Sequence, residues 1–202
     1  LLEGSLLRHA PVMPGVNYPM TFVGMRNSFF CWHVEDNWLY AVNYLHTGAD
    51  KVWYGVPASE AARMEEVWRA VFPHLFQRHP DLRYWKTALF SPEVLRCNRV
   101  PAFRARHKVG SYVVTLPRAY HCGFNTGFNV SESCNFALPD WVPEGARALD
   151  AYRARPARDA TLLHNALVCT AARVESEPAA RAAVAAELER LLGQGRELRE
   201  GL

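Results

Sequence analysis

The sequence predicts a mainly β domain that carries helices, an α+β fold in which an antiparallel barrel or double sheet precedes a helical segment. Between about residues 16 and 137, short runs rich in Val, Tyr, Phe and Trp are bounded by Gly, Pro or Asn, as strands usually are. After Trp141 these runs disappear, and Ala, Arg, Glu and Leu dominate. A chain of 202 residues, half of them hydrophobic, is long enough to bury a sizeable core.

Five runs are predicted to be strands because they are rich in β-branched and aromatic residues. They span residues 20–25, 39–45, 51–56, 111–116 and 132–137. Several strands at such close spacing are typical of an antiparallel barrel or double sheet.

Helices are predicted where apolar residues recur three or four positions apart. One interrupts the strands over residues 58–72, with Ser59 as its expected N-cap. Three more are expected over residues 143–154, 160–173 and 179–200. We therefore divide the chain into a barrel, residues 1–145, and a C-terminal helical segment, residues 146–202.

Composition excludes several classes of protein. A net charge of +3 is too small to imply nucleic-acid binding, and the basic stretch 96–108 is interpreted as a solvated loop. The five cysteines are odd in number and form no C-x-x-C pair, which favours free thiols in a reducing compartment. No apolar run approaches the roughly 20 residues of a membrane span.

The segment around His33 carries the most chemical information. His33 and Glu35 are two residues apart, so on a strand both side chains would leave the same face. An imidazole and a carboxylate on one face are two thirds of the facial triad that holds non-haem Fe(II). A structural or exposed histidine is the competing interpretation.

The third ligand would be a histidine from a distant strand. By spacing alone, five histidines compete for this place: His46, His74, His79, His107 and His121. The local sequence favours His121, because it follows the predicted strand 111–116 and is followed by Gly123 and Gly127, which allow backbone to pass close to a site.

Four motifs in the same order resemble the JmjC domain of histone lysine demethylases. They are Phe30-Cys-Trp-His-Val-Glu-Asp36, Tyr40-Ala-Val-Asn-Tyr-Leu-His46, Lys51-Val-Trp-Tyr-Gly-Val-Pro57 and Tyr120-His-Cys-Gly-Phe-Asn125. The resemblance covers about residues 3–152. It implies a double-stranded β-helix, a jelly-roll or cupin-like barrel, in which His33, Glu35 and His121 are the Fe(II) ligands.

The resemblance also implies a site for the co-substrate 2-oxoglutarate. By position, Lys51 would pair with the distal carboxylate, Asn43 would contact the same molecule, and Phe30 and Trp53 would pack against it. The residues agree, because a lysine inside a β-rich barrel needs an anionic partner. An exposed lysine on an edge strand is the alternative.

Four further residues match the surroundings of the metal and the methyl-lysine pocket: Phe22, Asn125, Ser133 and Asn135. Phe22 stands where methyl-lysine demethylases usually have a tyrosine. Asparagine is disfavoured in a β-rich interior unless it is hydrogen-bonded, which makes a site role for Asn125 and Asn135 credible. A further tyrosine that binds 2-oxoglutarate would lie before Leu1, so we expect the barrel to be truncated at its N-terminus.

The implied reaction consumes O2 and 2-oxoglutarate and removes a methyl group from lysine as formaldehyde. The implied partners are the methylated tail of histone H3 and chromatin, in the nucleus, without a membrane or sequence-specific nucleic-acid binding by this domain.

Three segments resemble the JARID-type branch, the histone H3 lysine 4 demethylases, and its plant relatives: residues 3–8, residues 72–82 and residues 140–145. A related branch with a structural zinc site is disfavoured, because residues 72–86 contain no cysteine and no C-x-C follows Trp141.

Two other functions stay open. One is a JmjC hydroxylase that stops at a hydroxylated protein side chain, and the other is a catalytically silent JmjC scaffold of chromatin. Silent modules usually lose a metal ligand or the co-substrate lysine, whereas the chain keeps His33, Glu35, His121 and Lys51.

Overall fold

The strands form two four-stranded sheets, as a computed structural model describing residues 3–153 and 162–200 shows. Within these residues the strands are β1 (Met20–Gly24), β2 (Phe29–His33), β3 (Tyr40–Gly48), β4 (Lys51–Val56), β5 (Phe103–His107), β6 (Tyr112–Thr115), β7 (Tyr120–Asn125) and β8 (Asn129–Phe136). Their orders are β1-β8-β3-β6 and β2-β7-β4-β5. This mainly antiparallel, interleaved arrangement is a jelly-roll, which confirms the predicted double sheet, although the two sheets do not close into one barrel.

The predicted strand bounds hold within a few residues for β1, β3, β4, β6 and β8. Three strands, β2, β5 and β7, were not among the five predicted runs. The interpretation of residues 96–108 as a solvated loop is wrong for its second half, since β5 pairs with β4 from Lys51 opposite His107 to Gly55 opposite Phe103.

Three short helices lie between β4 and β5. They are α1 (Ala61–Val71), α2 (Pro73–Arg78) and α3 (Pro92–Cys97), and 3-10 turns occur at Leu6–His9, Asp36–Trp38, Ala58–Glu60 and Leu82–Tyr84. The predicted N-cap of α1 is wrong: Ser59 lies inside the 3-10 turn that follows Pro57, so the helix begins after Glu60 and has no side-chain cap.

The C-terminal helices are α4 (Trp141–Arg153), α5 (Leu162–Val174) and α6 (Pro178–Glu200), close to the predicted spans. The predicted start of the second one, at residue 160, lies outside the described residues. None of the described helices combines the length and apolarity that a membrane span requires. All five cysteines are free thiols, as predicted.

The chain divides into two compact units. One comprises the described residues among Leu1–Tyr18, Asp36–Tyr40 and Asn135–Leu202, and the other comprises Pro19–Glu35 and Ala41–Cys134. The second unit holds α1 to α3 and all but the terminal residues of the two sheets. The division of the chain at residue 145 stays a prediction.

In the first unit, Asn37 joins the turn at Asp36–Trp38 to helix α4. Its φ of 52° lies in the left-handed region, which asparagine tolerates better than most residues. Its backbone N–H donates to the hydroxyl of Tyr152 at 2.8 Å, and its carbonyl accepts from Nε1 of Trp141 at 3.0 Å. Both backbone groups of this buried residue are therefore satisfied.

A buried carboxylate ties the N-terminal turn of the same unit to the end of α5. Glu175 accepts hydrogen bonds from Arg8 at 2.6 and 2.7 Å, and its Oε2 lies 2.9 Å from Nε2 of His9. Its Oε1 also accepts from the backbone N–H groups of Ser176 and Glu177. The backbone hydrogen bond from Glu177, together with His9 and Arg8, outweighs burial and lowers the pKa of Glu175 to about 2.

Replacing Glu175 by glutamine should lower the free energy of unfolding at neutral pH by about 2 kcal/mol, because charged hydrogen bonds are lost. A carboxyl whose pKa falls from 4.5 to about 2 on folding stabilises the fold above pH 4.5, and this contribution is lost as the pH falls towards 2. Urea unfolding of Glu175→Gln and the unmodified chain should therefore converge below pH 4.5. Glu189→Gln, at an exposed position of α6, is the matched control, and an equal loss there would contradict the assignment.

A candidate metal and co-substrate site

One face of the β2-β7-β4-β5 sheet carries most of the predicted site. In antiparallel strands, directly opposed residues share a face and successive residues alternate. Asn125, Gly123 and His121 of β7 lie opposite Lys51, Trp53 and Gly55 of β4, in that order. On β4 the predicted common face of Lys51 and Trp53 is thus confirmed.

On the other side of β7, strand β2 contains a bulge that decides where His33 lies. Phe30 is opposite Gly123 and His33 is opposite His121, so three steps along β2 match two along β7. In a regular strand, residues three apart would face opposite ways. The extra residue brings His33 onto the face that holds Phe30.

Buried contacts hold this bulge. The backbone N–H of Trp32 donates to the carbonyl of Ala88 at 3.1 Å, and its indole N–H donates to the carbonyl of Phe90 at 2.9 Å. Trp32 is fully buried, so the segment that contains Ala88 and Phe90 supplies partners that β7 does not.

Glu35 reaches the two histidines from beyond the strand. The sequence predicted that strand alternation would place His33 and Glu35 on one face. This reason is wrong, because β2 ends at His33 and Glu35 lies outside the strand. The carboxylate nevertheless arrives: its Oε1 lies 3.6 Å from Nε2 of His33 and 3.2 Å from Nε2 of His121. One ligand atom from each of the three residues lies within 4.8 Å of the others.

Backbone carbonyls orient both imidazoles. Nδ1 of His33 lies 2.7 Å from the carbonyl oxygen of Cys31, and Nδ1 of His121 lies 3.0 Å from that of Ala119. A carbonyl only accepts, so each Nδ1 carries a proton, and the Nε2 of each ring faces Glu35. An Nδ1–H that donates to a backbone carbonyl, with Nε2 directed into the site, is how metal-ligating histidines are usually held.

The charge states agree with such a cation site. Burial raises the pKa of Glu35, but its interactions with His121 and His33 outweigh burial and hold the pKa well below the ordinary 4.5. Burial and the neighbouring His33 lower the pKa of His121. An ionised carboxylate beside a neutral imidazole is the state that coordinates a metal ion.

Lys51 is buried on the same face of the sheet, opposite Asn125. It is 5% exposed, and its Nζ donates to Oδ1 of Asn125 at 2.7 Å and lies 6.0 Å from the ring centre of Phe30. Among the described residues, no carboxylate pairs with it. Burial lowers the pKa of Lys51, which reflects the cost of an ammonium group without an anionic partner.

The side chain of Asn125 forms four hydrogen bonds with other groups of the protein. Oδ1 accepts from Lys51 and from Nδ2 of Asn129 at 2.9 Å, while Nδ2 donates to the hydroxyl of Ser28 at 2.9 Å and to its carbonyl at 3.3 Å. The amide thus uses two acceptor and two donor positions, which is its full capacity. The pocket role of Asn125 stays a prediction, and it would require one of these bonds to be exchanged.

Aromatic rings complete this face of the sheet. Phe30 and Trp53 pack edge to face with ring centres 4.7 Å apart, and the indole lies 5.9 Å from the ring of His121. The absence of a side chain at Gly123 permits this contact, because a Cβ there would lie 2.5 Å from Phe30 and 2.2 Å from the carbonyl oxygen of Val52.

The remaining predicted residues lie elsewhere. Asn43, in β3, is buried, and among the described residues its Oδ1 has no partner. Phe22 of β1 is 46% exposed opposite Ser131, and Ser133 of β8 donates to the carbonyl of Val42 at 3.0 Å. Asn135 belongs to the other compact unit, where Nδ2 donates to the carbonyl of Tyr40 at 3.1 Å. Their roles stay predictions.

From its spacing in the sequence, His107 was one of five possible third metal ligands. The structure places it beside Trp53 instead. Nε1 of Trp53 lies 3.3 Å from Nδ1 of His107. The signal that could have located it is the alternation of Phe103, Ala105 and His107 with arginines, which is typical of a strand with one inward face.

Comparison with known proteins agrees with this geometry. Residues 20–136 match the family described as "JmjC domain, hydroxylase", a match that spans both sheets. The chain belongs to the JmjC family. The match includes His33, Glu35, Lys51 and His121.

Curated relatives of this JmjC chain include lysine-specific demethylases of animals and plants. Lysine-specific demethylase 5D of Homo sapiens is 42% identical over 170 residues, and lysine-specific demethylase 5B of Gallus gallus is 40% identical over 170 residues. Each match covers 84% of this chain and 11% of the relative. Lysine-specific demethylase JMJ703 of Oryza sativa subsp. japonica is 45% identical over 173 residues, 85% of this chain and 14% of that protein. The chain thus corresponds to a small part of each relative.

Replacing Gly123 by alanine should destabilise the JmjC sheet by about 1–3 kcal/mol, because the new methyl group would overlap backbone and displace Phe30. The free energy of unfolding in urea measures the loss. Gly55→Ala, on the neighbouring strand, is the control, since a Cβ there meets nothing within 4 Å. Equal stability of both variants would show that Phe30 and Val52 can move aside without cost.

Proposed function

We propose that this chain is the catalytic part of an Fe(II)- and 2-oxoglutarate-dependent dioxygenase that demethylates a methyl-lysine of histone. The observation that carries the proposal is the arrangement of Glu35 with Nε2 of His33 and His121, in which three possible ligand atoms lie within 4.8 Å of one another. Two imidazoles and one carboxylate are the donor set of the non-haem Fe(II) oxygenases, which keep other coordination positions open. The residues therefore fit the metal.

The surroundings of Lys51 fit 2-oxoglutarate. Among the described residues, no carboxylate pairs with the buried ammonium of Lys51, whose partners are an amide and an aromatic ring, and a carboxylate of the co-substrate would supply the anion. In the absence of 2-oxoglutarate, the hydrogen bond from Nζ to Oδ1 of Asn125 orients the side chain of Lys51. The unpartnered Oδ1 of Asn43 marks a second buried polar group, and it lies on the other sheet.

When bound, Fe(II) with 2-oxoglutarate and O2 supplies the oxidation, in which the co-substrate becomes succinate and CO2 and a hydroxylated N-methyl group leaves as formaldehyde. The chain contributes geometry and a dry environment. The carbonyls of Cys31 and Ala119 hold the imidazoles in the tautomer that offers Nε2, and Phe30 and Trp53 exclude water beside them.

Methylated lysine 4 of the histone H3 tail is the proposed substrate. The support is the resemblance of residues 3–8, 72–82 and 140–145 to the JARID-type branch, together with the lysine-specific demethylases among the relatives. Chromatin in the nucleus is accordingly the proposed setting. A hydroxylase that stops at the hydroxylated product would use the same metal and co-substrate, so the product distinguishes the two.

The proposal is tested by incubating the Fe(II)-loaded chain with 2-oxoglutarate and methylated histone H3 peptides, followed by mass spectrometry. Demethylation lowers the peptide mass by about 14 Da per methyl group and requires both Fe(II) and 2-oxoglutarate. A gain of about 16 Da would instead establish the hydroxylase. Binding of metal and 2-oxoglutarate without any product would support a silent scaffold.

His33→Ala and His121→Ala should each lower the affinity for Fe(II) at least about a hundredfold and abolish turnover, because a ligand is lost. Titration of the anaerobic protein with Fe(II), followed by calorimetry, measures the affinity. His74→Ala is the matched control, because His74 is exposed on α2. Full activity of either ligand variant would refute the metal assignment.

Lys51→Met should raise the KM for 2-oxoglutarate at least about thirtyfold while leaving Fe(II) affinity unchanged, since a buried charge pair is removed. Steady-state kinetics over a range of 2-oxoglutarate concentrations measures the change. Lys108→Met, at an exposed position after β5, controls for the loss of a positive charge. An unchanged KM in Lys51→Met would place the co-substrate elsewhere.

A further inference from the structure

His107 is a buried histidine outside the metal cluster, and both of its ring nitrogens are engaged. It is 1% exposed at the end of β5, directly opposite Lys51. Nε1 of Trp53 lies 3.3 Å from its Nδ1, and the carbonyl oxygen of Ser111 lies 2.8 Å from its Nε2. The ring therefore connects the loop before β6 to an aromatic residue of the candidate site.

These two partners determine the tautomer of His107. An indole N–H only donates, so Nδ1 must accept, and a carbonyl only accepts, so Nε2 must carry the proton. Protonation of Nδ1 would break the bond to Trp53. Burial and the positive charge of Lys51 lower the pKa of His107 against the opposing effect of Ser111, which favours the neutral ring.

The indole of Trp53 needs such a restraint because it is packed unevenly. Phe30 and His121 contact it, and Gly123 opposite it has no side chain. Trp53 also lines a cavity of about 340 Å³. The wall of this cavity is formed further by parts of β4 to β7, including Phe103, Val113, Thr115, Leu116 and Tyr120. Space on that side would allow the ring to turn, and a directional hydrogen bond opposes the turn.

We propose that His107 is a positioning residue that holds Trp53, through the hydrogen bond to Nε1, against Phe30 and His121, and so shapes the wall of the 2-oxoglutarate pocket. His107 touches neither metal ligand nor co-substrate in this assignment. The consequence for 2-oxoglutarate rests on the proposed function, whereas the restraint on the indole does not.

The restraint can be measured directly on the full chain without metal or co-substrate. The chain has six tryptophans, and loss of one indole N–H signal in Trp53→Phe identifies the NMR resonance of Trp53. His107→Leu should speed hydrogen exchange at this indole about tenfold or more, as expected when one buried hydrogen bond is lost. His107→Gln should restore most of the protection, because its amide offers both an acceptor and a donor.

The same variants should separate co-substrate affinity from metal affinity. His107→Leu should raise the Kd for 2-oxoglutarate of the metal-loaded chain about tenfold, with Fe(II) affinity unchanged, and His107→Gln should recover most of it. In a Trp53→Phe background, which lacks the donor, His107→Leu should add little. His74→Leu controls for the removal of an exposed imidazole.

The outcomes distinguish this proposal from the proposed function. Unchanged indole exchange in His107→Leu, or equal changes in His107→Leu and His107→Gln, would overturn the positioning role. If the unmodified chain binds no 2-oxoglutarate, the proposed function fails, and the exchange of the Trp53 indole still decides whether His107 restrains the ring. If exchange changes as expected but the Kd for 2-oxoglutarate does not, the restraint stands and its effect on the pocket is refuted.

Discussion

The bulge between Phe30 and His33 is the constraint on which the candidate site depends. Without the additional residue, His33 would point away from His121, and Glu35, which follows β2, would leave with it. The bulge exists because the backbone N–H and the indole of Trp32 bond to Ala88 and Phe90 rather than to β7. The buried Trp32 thus sets the position of the adjacent His33, a candidate metal ligand.

A second feature is a cluster of titratable side chains at one sheet, where burying a charged group costs free energy. Four titratable residues lie there: Lys51, His107, His121 and Glu35. The first three are buried, and Glu35 is partly exposed. Among the described residues, Lys51 has an amide and an aromatic ring as partners and no carboxylate. Such a set lowers the stability of the isolated fold, and ligands of opposite charge would recover the loss on binding.

The two compact units use polar burial for different ends. In the first unit, Glu175 is surrounded by donors, and Asn37 has both backbone groups satisfied, so the buried polar groups stabilise the fold itself. On the β2-β7-β4-β5 face of the second unit, ligand atoms of His33, Glu35 and His121 converge, and among the described residues no carboxylate pairs with Lys51. Complete satisfaction is typical of a structural network, and incomplete satisfaction is typical of a binding site.

The sequence by itself determined the family, the jelly-roll class, five of the eight described strands and four residues of the candidate site: His33, Glu35, Lys51 and His121. Alternation within a strand depends on neighbouring residues, and the JmjC motifs can be identified without knowing how the chain packs. It did not predict the strands β2, β5 and β7, the bulge, the 3-10 turn that contains Ser59, or the pairing of His107 with Trp53. Three of these depend on partners distant in the chain: Lys51 for β5, Ala88 for the bulge at Trp32, and Trp53 for the ring of His107. Tertiary structure decided them because the register between strands and the partners of buried polar groups are settled only when distant segments pack together.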